Sequence, residues 1–283
     1  MKRAAEALAV VAPARPVLEL SGPKLAQALE SLVVRTEEYG GVERYVDALK
    51  LKMALFARAL DEGRAREVDP KTLRQLLSLL ATVRRRIGPY LDARGIDELR
   101  ERIAALLDAA RDTAMADEAI AAFCGHCPAD REHRWVRDLA VEVLHNVDPE
   151  RYPLMCRWVW DARANTGVLR EIWHAADVDH ITIEVPDRHE TFVVLREELS
   201  HYLTTNGVYR DVLQYVDLLT AQVYAEYISE QGGSYLRTDF ASPEDPMQHT
   251  RRMLGLDVAV DGRSKLKAVD GEATIADLPR LTN

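Results

Sequence analysis

Cys124-Gly125-His126-Cys127 sets two thiols two residues apart, and His133 follows six residues after the second. Thiolates at that spacing can close on one zinc ion, or one can resolve a mixed disulfide formed at the other. Zinc takes four ligands, so Cys124, Cys127 and His133 would need His145 or Cys156 as the fourth. A second pattern is Glu-x-x-His, present as Glu142/His145, Glu171/His174 and Glu198/His201. On a helix the two side chains share one face, which is how a helical bundle offers carboxylate and imidazole to a pair of iron ions. Eight histidines produce about 0.7 such motifs by chance, so three is a mild excess.

The Cys124–Cys127 tetrapeptide resembles the active-site motif of the protein disulfide isomerases, which implies dithiol redox chemistry at the two thiols. The likeness spans these four residues alone. Their setting differs, because ADEAIAAF before them has the composition of a helix and Pro128 follows directly. The isomerase motif follows a β-strand. Without a metal or a redox role, the two thiols simply pack at a corner between helices.

The other chemistry-bearing residues are suited to contact rather than catalysis. All four tryptophans fall between Trp135 and Trp173, near Tyr152, Arg157 and Arg170. Indole supplies apolar area and one donor, and arginine stacks or pairs with an anion. Trp158 and Trp160 sit two apart in a segment read as helix, about 200° around the axis, so one of them is expected to face outward. Trp158, Trp160, Arg157 and Arg170 are therefore the candidate interaction residues. His249 beside Arg251-Arg252 is a possible anion contact, and Arg84-Arg85-Arg86 reads as the solvated face of an amphipathic helix.

The elements that must position these groups are mostly helical. The chain has 283 residues, 29% charged and 47% hydrophobic, with only four Phe and fourteen Gly, a balance that favours helices over a β-sandwich. Leu25, Leu29, Leu32 and Val33 form one stripe, and Tyr45, Leu49, Met53, Phe56 and Leu60 another. Asp69-Pro70 is a cap followed by proline at the first helical position, and the stripe from Leu73 to Ile87 runs until Gly88-Pro89. Asp97 and Asp130 are further caps, and Asp148-Pro149 opens an expected helix carrying Tyr152, Met155, Cys156 and Val159. HITIEV (180–185) and TFVVL (191–195) are β-rich and separated by five loop residues, which predicts a small hairpin. Helix resumes at Arg196 and again from Tyr209 to Glu230, and a second hairpin is expected in DVAVDGRSKLKAV (257–269).

The expected fold is therefore mainly α, a multi-helix protein with a hairpin near 180–195 in its C-terminal half. Residues 1–20 read as a mobile leader, 21–123 as a helical N-terminal domain, and 124–283 as a Trp- and His-rich C-terminal domain with an irregular tail. The formal charge of −9 argues against nucleic acid as the partner. No stretch approaches a membrane span and no export signal is evident, which predicts a cytoplasmic protein. The leading functional expectation is an adaptor or assembly factor that binds a protein partner, with homo-oligomer formation compatible. A zinc or, second, an iron protein is the alternative, followed by a dithiol redox protein.

Overall fold

The computed structural model describes residues 15–177, 180–231 and 247–257, and among these it contains ten α-helices and no sheet. Helix α1 (Gly22–Glu37) starts with proline in its first turn and buries Leu25, Ala28, Leu32 and Thr36, one side chain per turn. Helix α2 (Glu43–Leu60) buries Tyr45, Leu49, Met53, Phe56 and Leu60, and with them Lys52. In α3 (Pro70–Ser78) the Asp69 carboxylate accepts the Lys71 and Thr72 amides at 3.0 Å, the cap expected from Asp69-Pro70. Residues 15–20 join the fold: His174 N donates to Glu19 O at 2.8 Å, and Leu20 bridges Trp173. Residues 1–14 lie outside the described part.

The stripe from Leu73 to Ile87 does not stay helical. Helix α3 ends at Ser78, and 79–87 runs as successive turns with i→i+3 bonds such as Val83 N to Leu80 O. This segment buries the adjacent Leu79 and Leu80, both at 0% exposure. Arg84, Arg85 and Arg86 therefore sit on a turn segment and not on a helix face. Helix α4 (Gly88–Ala109) bends at Gly95, whose φ of 83° ends the first short piece. Helices α5 (Ala116–Cys124) and α6 (Trp135–Val147) follow, separated by a turn in which Asp130 accepts the Glu132 and His133 amides.

The helix expected after Asp148-Pro149 is one turn long. Asp148 accepts the Arg151 amide at 3.1 Å, and then 152–156 has no regular secondary structure. Pro153 explains this, since it removes a donor and disfavours α geometry at Tyr152. Trp158 and Trp160 therefore lie outside a helix, and both are buried, at 7% and 0% exposure. Between Asp161 and Thr166 the chain reverses, and Gly167 (φ 120°) lies so close to Val159 O that a Cβ would approach to 2.8 Å. Helix α7 (Val168–Glu171) is one turn.

The hairpin near 180–195 is absent. Residues 181–187 form no regular secondary structure, and TFVVL belongs to α8 (His189–Thr205). Phe192, Leu195, Leu199 and Leu203 are all buried at helical spacing, so tertiary burial overrides the β-propensity of Thr and Val. Side chains replace the missing strand: Asn165 pairs with Ile181 O and Ile183 N, and Trp160 Nε1 donates to Val185 O at 2.9 Å. Helix α9 (Val212–Gln231) and α10 (Gln248–Met253) complete the described chain, while the hairpin expected at 257–269 lies outside it beyond Asp257. One hydrophobic cluster runs from Leu25 to Leu256. Within it α2 packs on both α6 and α9, and α9 packs in turn on α1, α8 and α10. No described helix is long and apolar enough to cross a membrane.

Candidate binding cleft

Helix α6 is apolar except for the half-buried Arg137 and for Asp138, Glu142, His145 and Asn146, which are as buried as its apolar residues. A buried charge needs a partner, and each has one. Asp138 takes Arg157 through Nη2 at 2.8 Å and through the Arg157 amide at 3.2 Å. Glu142 accepts Thr82 Oγ1 at 2.7 Å and faces Lys52 Nζ at 3.9 Å. His145 engages Tyr152 O through Nδ1 and Asp217 through Nε2, both at 2.9 Å.

Two of these pairs fix the walls of a cleft. Thr82, held by Glu142, lies three residues before Arg85 on the turn segment. Lys52 Nζ also donates to Leu254 O at 2.9 Å, two residues beyond Arg252 on α10. Gly255 (φ 70°) sets its backbone so close to Leu79 O that a Cβ would fall 1.7 Å away. Arg84 clamps Asp257 through both guanidinium nitrogens. The turn segment and α10 are thus locked to each other and to α6.

The cleft between them has a volume of about 650 Å³. Arg85 and Arg86 contribute from the turn segment, Arg157 and Trp158 from the loop after Pro153, Tyr224 and Tyr227 from α9, and His249 and Arg252 from α10. The Trp158 and Tyr224 rings lie 5.5 Å apart, and Tyr224 and Tyr227 6.0 Å. The Trp158 indole N–H has no acceptor among the described residues. Arg85 and Arg86 are exposed and make no ion pair with a described residue. Burial lowers the pKa of Arg252, with Arg85 and Arg84 adding to the effect and the Asp257 carboxylate opposing it. Among the described residues Asp138 and Asp161 are the acids lining the cleft, and Asp138 already pairs with Arg157.

The expected site residues separate into two outcomes. Trp158 and Arg157 come together here. Trp160 and Arg170 lie elsewhere, both bonded to the 181–185 segment, with Arg170 donating to Ile181 O at 3.1 Å. The five candidate metal ligands do not converge, and among the described residues no group of three or more His, Cys, Asp or Glu is placed to hold a metal ion. Cys124 ends α5, and burial raises its thiol pKa. Cys127 receives Arg102 Nη1 at 3.9 Å, and His133 Nδ1 pairs with Asp130 at 2.8 Å. Both ring nitrogens of His145 are engaged, and Cys156 is fully enclosed with its thiol pushed well up by burial. Of the Glu-x-x-His pairs, Glu142 and His145 serve separate partners, and Glu198 and His201 lie exposed on α8.

Lys52, Thr82, Tyr224 and Tyr227 escape a reading of the sequence alone. Lys52 did leave a trace, because it falls within the apolar stripe of α2, as Asp138, Glu142 and His145 do within the apolar run of α6. The chain matches no family model, no curated protein and no solved structure.

Proposed function

We propose that this protein is an adaptor that holds an acidic segment of a partner protein in the Trp158 cleft. The observation that carries the reading is the pair Arg85 and Arg86, with no ion-pair partner among the described residues, on the edge of a cleft that also offers Trp158, Tyr224 and Tyr227. Arginine and large aromatic side chains are the residues that dominate binding energy at protein interfaces. Carboxylates are the matching groups, since a guanidinium fork binds them through two parallel hydrogen bonds. Ala81, Ile228 and Met253 add an apolar patch that suits one aliphatic or aromatic anchor on the partner.

Anisotropy with a fluorescein-labelled peptide, one leucine flanked by glutamates, tests the reading. Wild-type protein should bind with a micromolar Kd that weakens as salt rises, because the contacts are exposed ion pairs. Arg85→Glu/Arg86→Glu should weaken binding at least tenfold, whereas His201→Ala, on the exposed face of α8, should leave it unchanged. Equal affinity in the double variant would rule the cleft out.

A further inference from the structure

Arg85 and Arg86 line a second cleft as well. It has a volume of about 640 Å³ and lies toward α4 and the start of α6, where Tyr90, Arg94, Arg131, His133 and Trp135 complete its wall. The two clefts therefore share one ridge. Arg131 is exposed and, like Arg85 and Arg86, forms no ion pair with a described residue. Arg94 is partly neutralised by Glu98 at 3.1 Å. Among the described residues, six arginines and three acids, Glu132, Asp138 and Asp161, line the two clefts, in a chain whose formal charge is −9. Positive charge is concentrated along this strip against the balance of the molecule.

We propose that the bound segment is bipartite: an apolar anchor seats in the Trp158 cleft, and an acidic run crosses the Arg85–Arg86 ridge into the cleft of Arg131. The inference rests on the adaptor reading and names the kind of segment it takes. The favoured occupant is a peptide and not a single-stranded nucleic acid, because bases need open ring faces on which to stack. Here the rings face one another. Tyr90 meets Trp135 edge-on at 5.8 Å, the Arg102 guanidinium covers Tyr90 at 5.5 Å, and Trp158 lies against Tyr224. Carboxylates need only guanidinium groups, and Arg85, Arg86 and Arg131 form no ion pair with a described residue. An extended chain advances roughly 3.3 Å per residue, so an acidic run of several residues leaves the first cleft and reaches the second.

The test compares labelled peptides on the full-length protein. The short one is the leucine anchor with two glutamates. The long ones extend it by eight glutamates at either end, and an oligo-dT of matching charge is the nucleic-acid probe. The better long peptide should bind at least tenfold more tightly than the short one. Arg131→Glu should cancel at least fivefold of that gain while leaving the short peptide within twofold. Ile228→Asp, in the anchor cleft, should weaken both, with circular dichroism confirming that each variant folds. A long peptide no tighter than the short one, or a gain unaffected by Arg131→Glu, overturns the bipartite arrangement but leaves the adaptor reading standing if Arg85→Glu still weakens the short peptide. No binding of either peptide to wild-type protein removes both readings. Tighter binding of the oligonucleotide than of the long peptide overturns the proposal in favour of nucleic acid.

Discussion

Replacing Lys52 with methionine should remove the buried cation while largely keeping the volume of its stem. In the native protein Lys52 and Glu142 are 4% and 3% exposed, their charged atoms 3.9 Å apart, and Lys52 also donates to Leu254 O. Burial pushes the Glu142 carboxyl above its usual 4.5, with Lys52 and then Thr82 opposing the rise. Lys52→Met deletes the larger of those opposing influences, so the carboxyl rises further. Breaking a buried ion pair from one side costs about 3–5 kcal/mol. The cost appears only where Glu142 is forced to ionise. Above pH 4.5 the unfolded chain has lost this proton while the folded variant keeps it, so the folded state binds more protons and stability falls as pH rises. The slope is about 1.4 kcal/mol per pH unit, until the folded carboxyl also ionises. At pH 4.5 the deficit should largely vanish, because the lost Leu254 hydrogen bond is offset by no longer burying the Lys52 cation, whose pKa burial lowers. Urea denaturation of both proteins at pH 4.5 and pH 7.5 measures this, and Lys52→Met/Glu142→Gln should flatten the pH dependence. A deficit below about 1 kcal/mol at pH 7.5, or one equal at both pH values, would refute the reasoning. Because Lys52 holds Leu254 and Glu142 holds Thr82, the same variant should also weaken peptide binding.

Gly255→Ala combines a left-handed backbone with a Cβ placed 1.7 Å from Leu79 O. It should cost more than about 2 kcal/mol in urea denaturation and reduce peptide affinity, since Arg252 and His249 depend on that docking. His145 should make wild-type stability pH-dependent: burial alone lowers its pKa, but the Asp217 carboxylate and the Tyr152 carbonyl outweigh it and raise the folded value above 6.5. That contribution is complete below pH 6.5 and is lost as pH rises through the folded value, so wild type should weaken above neutrality and Asp217→Asn should weaken less steeply. Thiol labelling of native protein should modify Cys127 and, more slowly, Cys124, whose thiol burial keeps protonated. Cys156 should react only as fast as the protein unfolds, and prompt labelling of all three would contradict the packing around α6.

The helical class is legible because Leu25, Leu32, Phe56 and Leu73 repeat at helical spacing and Asp69-Pro70 announces a start without ambiguity. TFVVL is misleading for a physical reason: Thr and Val favour extended backbone, yet Phe192 and Leu195 continue a stripe with Leu199 and Leu203 that only a helix can bury. Pro153 carries a stop signal that Asp148-Pro149 overshadows, and with it goes the helix that would have turned one tryptophan outward. Arg157 and Trp158 stand out in the sequence by residue type, and the fold does set them in one cleft. Their neighbours in the cleft do not, because Arg85, Tyr224 and Arg252 come from distant segments that only the tertiary fold brings together. A local pattern such as Cys124–Cys127 is easy to see, whereas a site assembled across α6, α9 and α10 has no local signature.

The most direct measurement is photo-crosslinking of the long acidic peptide with a photoactivatable group at its anchor position, followed by mass spectrometry of the adduct. The account predicts crosslinks to the Trp158 cleft, at residues 157–158 and 224–228, suppressed by excess unlabelled peptide and by Arg85→Glu/Arg86→Glu. Crosslinks concentrated elsewhere on the molecule, or unchanged in the double variant, would contradict it.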